Sequence, residues 1–84
     1  MPHSQLLSDL FRKEYAKMVA VLCRHFGFSY LEIAEDIVSD TFLKAYELWE
    51  REPLPPNPTA WLYTVAKNKA KDYEKHVAIF EDKV

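Results

Sequence analysis

Apolar residues recur at three- and four-residue steps through most of the chain, and no long stretch alternates with the period of a strand. Leu7, Phe11, Tyr15, Met18, Leu22 and Phe26 form one such stripe and predict a helix from about Gln5 to Phe26, after a short lead-in. Gly27 follows directly and fits the left-handed position that ends helices. Arg24 and His25 suit the negative end of that helix. A second run sets Ala34, Ile37, Val38, Thr41, Ala45, Leu48 and Trp49 on one side of a helix reaching about Glu50. Its start reads as a capping box between Ser29 and Glu32, with Phe28 placed to staple onto Ile33. The segment Arg51-Glu-Pro-Leu-Pro-Pro-Asn57 contains three prolines, which forbid helix and predict a stiff, extended loop with Leu54 tucked onto the core. Asn57 then reads as an N-cap and Pro58 as the first residue of a third helix running to about Phe80. Leu62, Val65, Ala66 and Tyr73 line its core side, with Val77 and Phe80 continuing the stripe. Residues 81–84 are expected to fray.

The expected fold is therefore all-α: a compact bundle of three long helices, with room for a fourth short one, in a single domain over residues 1–80. Its expected core is Leu7, Phe11, Met18, Leu22, Ile37, Val38, Phe42, Ala45, Leu62, Val65, Ala66 and Tyr73. A chain of 84 residues is small for a self-sufficient core. Domains of this size bury only about 60–70% of their unfolded surface. A hydrophobic content of 49% supplies enough apolar surface and argues against disorder.

Charge and cysteine usage narrow the chemistry. The net charge is −2, whereas a free-standing nucleic-acid binder is usually strongly basic. Cys23 is the one cysteine, so a disulfide framework is excluded and a reducing compartment is expected. There is no signal peptide and no apolar run near a membrane span, which predicts a cytoplasmic protein without a membrane partner. His3, His25 and His76 lack a common spacing, and no metal or cofactor site is expected. The single glycine rules out a glycine-rich phosphate loop. Serines, histidines and acids form no nucleophile–base arrangement, and the carboxylates Glu35, Asp36 and Asp40 lack a Glu-x-x-His partner, so no enzyme is expected.

Two helix faces carry candidate function. The outer side of the second helix holds Glu32, Asp36, Ser39, Asp40, Leu43 and Glu47. It is acidic along its length with a leucine in its middle. That pattern fits a plain solvated face, and it also fits a face that docks a basic helix through an apolar anchor and a charged rim. On the third helix Thr64, Lys67, Lys71 and Lys75 lie opposite the core side, with Trp61, Asn68 and Asp72 on the flank. Aromatics interleaved with lysines suit a nucleic-acid surface, and they also suit an ordinary amphipathic helix.

Three segments in order resemble a known family. They are Leu10-Phe-Arg-Lys-Glu-Tyr15, Ala34-Glu-Asp-Ile-Val-Ser-Asp-Thr-Phe-Leu-Lys-Ala-Tyr46 and Ala60-Trp-Leu-Tyr-Thr-Val-Ala-Lys-Asn-Lys-Ala-Lys-Asp-Tyr73. Together they look like region 2 of a bacterial RNA polymerase sigma factor, of the extracytoplasmic-function (ECF) group of the sigma-70 family. The resemblance covers roughly Leu7 to Tyr73. It implies a transcription initiation factor domain whose second helix docks on the clamp helices of the polymerase β′ subunit. The matching positions are Asp36, Ser39, Asp40 and Leu43, and Glu47 extends the same face. It further implies recognition and melting of the promoter −10 element, with a base of the non-template strand flipped out and held by stacking and hydrogen bonding. Trp61, Asn68 and Asp72 match that role, with the loop from Glu52 to Asn57 as a wall. Trp61 serves equally as a core residue. Lys67 and Lys71, beside Thr64, match phosphate contacts, which position the strand without specifying sequence.

This chain departs from the family pattern in three places. Ser39 stands where the family usually has Gln, which weakens one polymerase contact. After Asp72 the chain reads Tyr-Glu-Lys-His where arginines are common, lowering the expected phosphate affinity. No counterpart of the family's region 4 helix-turn-helix, which reads the −35 element, occurs in these residues, so the chain is expected to be a piece of a longer protein. An anti-sigma protein is a further implied partner. The reading from a different class is a helical protein-interaction module without a DNA role, either a sigma-like regulator or an anti-sigma target. The acidic balance and the missing arginines favour it.

Overall fold

The computed structural model describes the backbone of residues 2–82 and the side chains of residues 5–75. The architecture is all-α, with three long helices: α1 (Pro2–Phe26), α2 (Leu31–Arg51) and α3 (Pro58–Asp82). A single 3-10 turn, Phe28–Tyr30, joins α1 to α2. The expected side chains of Val77 and Phe80, with His3 and His76, lie outside the described residues, as do the last two residues of the tail.

Local chemistry sets each boundary. α1 starts earlier than its apolar stripe suggests, at Pro2, where a missing N–H removes a donor that would have no helical partner anyway. Gly27 ends it with φ 102° and ψ 158°. The positive φ is as expected, but ψ lies in the extended region, which is open essentially to glycine alone. The predicted capping box and staple do not form. Tyr30, not Ser29, holds the N-cap position of α2, without a side-chain hydrogen bond, and Phe28 is 85% exposed. Backbone bonds replace them. The Tyr30 N–H donates to the Gly27 carbonyl at 3.1 Å, and the Leu31 N–H donates to the Phe28 carbonyl. The 3-10 winding that makes these bonds turns Phe28 outward, away from Ile33.

α2 stops where proline dictates. Glu52 is extended, with φ −120° and ψ 155°, because Pro53 bars the helical region to the residue before it. Leu54 packs against the core, as expected for the loop. The start of α3 follows the sequence reading closely. The Ala60 N–H donates to Asn57 Oδ1 at 3.1 Å, and the Trp61 N–H donates to the Asn57 carbonyl at 3.0 Å. Asn57→Ala is expected to lower stability by about 0.5–2 kcal/mol, read as a shift in the urea midpoint at constant slope.

The core is one cluster fed by all three helices: Leu7, Met18, Val19, Leu22 and Cys23 from α1, Ala34, Val38, Phe42, Ala45 and Trp49 from α2, Leu62, Ala66 and Ala70 from α3. Thr41 is fully buried among them, and its Oγ1 donates to the Ile37 carbonyl at 2.7 Å. That bond removes the penalty of burying a hydroxyl. Two expected core residues are exposed instead. Phe11 is 42% exposed and lies edge-on to Phe42 at 5.1 Å, roofing the core rather than filling it. Tyr73 is 38% exposed and meets the Tyr30 ring at 5.8 Å. The course of α3 explains the second case. It runs alongside α1 in the same direction, from Tyr63 beside Glu14 to Tyr73 beyond the end of α1. From Lys71 to Lys75 every residue is exposed, because α3 has outrun the helix that would cover it.

Candidate docking face and nucleic-acid interface

The outer face of α2 gathers the residues read from the sequence. Asp36, Ser39, Asp40, Leu43 and Glu47 are all exposed, and Leu43 is 57% exposed. Their exposure follows from helical spacing: Ile37, Val38, Thr41, Ala45 and Leu48 turn inward, so the residues between them turn out. Among the described residues, an ion pair joins Lys17 and Glu14 on α1 at 3.8 Å. Asp36, Asp40 and Glu47 form no ion pair with a described residue and can meet a partner's charges. Sequence reasoning passed over Tyr46, which is 46% exposed. It lies three residues beyond Leu43, so it stands beside that leucine on the helix surface. The spacing was the available signal. Leu43 and Tyr46 together give the acidic face an apolar anchor larger than one leucine.

The outer face of α3 exposes Thr64, Lys67, Asn68, Lys71 and Asp72. Asn68, Lys71 and Asp72 border an open cleft with Glu74 and Lys75. Trp61 stands apart from this group. Its ring is half-buried, 5.1 Å from that of Trp49, and packs against the core. The two faces occupy different helices, so a partner could cover one and leave the other open.

One polar contact ties α3 to α1. The Tyr63 hydroxyl donates to Glu14 Oε1 at 3.0 Å across 49 residues of sequence. Burial pushes the Tyr63 phenol above its ordinary value of 10.0, and the hydrogen bond to Glu14 and that carboxylate's charge push it the same way. The folded state thus holds this proton more tightly than the unfolded state. The stability it contributes is fully present below about pH 10 and is lost as pH rises through the raised folded value. Tyr63→Phe is expected to flatten the alkaline fall of Tm relative to the parent chain, read by melting both at pH values from about 8 to 11.

The described residues hold no group of three or more His, Cys, Asp or Glu side chains placed to bind a metal. No described helix is long and apolar enough to cross a membrane. Among curated proteins, and among solved structures, none matches the chain. A family model does: the one described as Sigma-70 region 2 matches residues 10–76, which take in most of α1, all of α2 and the exposed face of α3. That family consists of transcription initiation factor domains, not enzymes. The chain belongs to the sigma-70 region 2 family.

Proposed function

We propose that the chain is the region 2 domain of an ECF-group sigma factor, acting in the cytoplasm. α2 docks on the β′ clamp helices of core RNA polymerase, and α3 recognises and helps melt the promoter −10 element. The observation that carries this reading is the separation of two faces of different chemistry on one small scaffold. Asp36, Asp40 and Glu47 offer carboxylates with no ion-pair partner among the described residues, around Leu43 and Tyr46, a combination that suits a basic helix with apolar anchors. Lys67 and Lys71 stand exposed on another helix, beside the hydrogen-bonding side chains of Thr64, Asn68 and Asp72. The lysines hold phosphates, and Asn68 and Asp72 read the extruded base of the non-template strand. The loop from Glu52 to Asn57 walls the base site, while Trp61 stays packed on Trp49. An anti-sigma protein, as a competitor for these faces, completes the set of partners.

A second reading, a helical interaction module without a DNA role, is favoured by the net charge of −2 and by Tyr73-Glu-Lys-His76. Charge reversal on α3 separates the two. In the full-length protein, the pair Lys67→Glu and Lys71→Glu is expected to abolish most −10-dependent transcription in vitro while leaving polymerase binding intact. Undiminished transcription would remove the DNA role from α3 and favour the interaction module.

A further inference from the structure

A narrow cleft of about 220 Å³ opens between the last turns of α1 and the middle of α3. Its floor is Val21, Leu22 and Phe26, and its rim is His25, Lys67 and Lys71. The rim carries two ammonium groups and an imidazole but no carboxylate, in a chain whose acids outnumber its lysines and arginines. The site therefore favours an anion. The floor adds a second requirement. Leu22 is buried, Phe26 is half-buried, and the exposed His25 ring stands edge-on to the Phe26 ring at 4.9 Å. A small inorganic anion would satisfy the lysines and leave this apolar floor wet. A ligand carrying a flat apolar ring next to a phosphate satisfies both.

We infer that this cleft holds one nucleotide of a single DNA strand, its base against Phe26 and His25 and its phosphate between Lys67 and Lys71. The orientation follows from the helix ends. The C-terminal turn of α1 presents carbonyl oxygens and the negative end of the helix dipole, so the phosphate lies on the α3 side. The base then lies toward α1, where stacking on an aromatic side chain is tolerant of sequence. Lys67 and Lys71 line this cleft, and Lys71 also borders the open cleft formed with Asn68 and Asp72, so a strand crossing α3 reaches both without a break. The inference rests on the proposed DNA role of α3 and extends it. Residues of α1, which the family resemblance did not mark for DNA, become part of the strand's path, and His25 becomes a positioning residue for it.

The test is a heteronuclear NMR titration of the 84-residue chain with a dT6 single strand, with inorganic pyrophosphate as the control anion. Saturable shifts are expected at His25, Phe26 and the Leu22 methyls together with Lys67 and Lys71, with pyrophosphate moving the lysines only. His25→Gln, at an exposed position and without adding a negative charge to the end of α1, is expected to weaken dT6 binding by about tenfold with little change in Tm. Shifts confined to Asn68, Lys71, Asp72 and Lys75, with His25 and Phe26 unmoved, would overturn the cleft and leave the DNA role of α3 standing. Equal movement of the floor by pyrophosphate would overturn the base site. No shift at any residue would overturn the cleft and the DNA reading of this chain together.

Discussion

Trp49→Ala is expected to remove a large part of the protein's stability. Trp49 is the largest of the fully buried side chains, at 2% exposure. It stands at the C-terminal end of α2, where its ring meets that of Trp61 from α3 at 5.1 Å. Truncation removes the transfer energy of an indole and leaves a cavity that the rigid ends of two helices cannot close. Changes of this kind lower stability by about 3–5 kcal/mol. At roughly 0.05–0.15 kcal/mol per residue, a domain of 84 residues has about 4–13 kcal/mol in total. The loss is thus of the same order as the whole. Urea denaturation followed by tryptophan fluorescence and by helical circular dichroism reads it directly. Trp49→Phe, which keeps most of the volume, should lose much less. A midpoint unchanged by the alanine would mean that Trp61 and α3 do not depend on this contact.

Asp40→Arg is expected to abolish binding to the β′ clamp helices. Asp40 lies in the middle of the acidic face, with Asp36 and Leu43 on neighbouring turns, and its carboxylate is unpaired within the chain among the described residues. A partner that approaches Leu43 must bring its own charges up to Asp40. Removing one member of a buried charge pair typically lowers affinity by about 2–5 kcal/mol, and reversal adds repulsion to the loss. That corresponds to at least a roughly thirtyfold weakening. Since Asp40 is exposed and makes no ion pair with a described residue, the same change should leave Tm nearly unchanged. Loss of binding with an intact fold is the signature that distinguishes a docking face from a structural one.

The helical pattern made the scaffold legible from the sequence. Along α2 every residue assigned inward is buried or half-buried, and every residue assigned outward is exposed. Asn57 was legible because an N-cap is a local event, decided by one side chain and the first turn it serves. The start of α2 was not, although its letters fit a capping box. There the backbone satisfied itself through a 3-10 turn set up by the conformation of Gly27. Tyr73 was misjudged for a different reason. Periodicity says which way a side chain points, but not whether a neighbouring helix extends far enough to cover it. Phe11 illustrates the same limit at the bundle's edge, where a correctly oriented ring covers Phe42 yet stays 42% exposed. Of the candidate site, the two faces were legible as stripes. The closeness of Lys67 and Lys71 to His25 and Phe26 was not, since more than 40 residues of sequence separate them.

On the proposed reading α2 presents the polymerase dock while α3 stays open. That reading is tested most directly by mapping, in NMR spectra of this chain, which residues move when a purified β′ clamp-helix fragment is added. Saturable shifts are expected at Asp36, Ser39, Asp40, Leu43, Tyr46 and Glu47, with no shifts at Lys67, Asn68 or Lys71, and none at all in the Asp40→Arg variant. Binding that moves the α3 face instead, or a folded domain whose spectrum the fragment leaves unchanged, would contradict it.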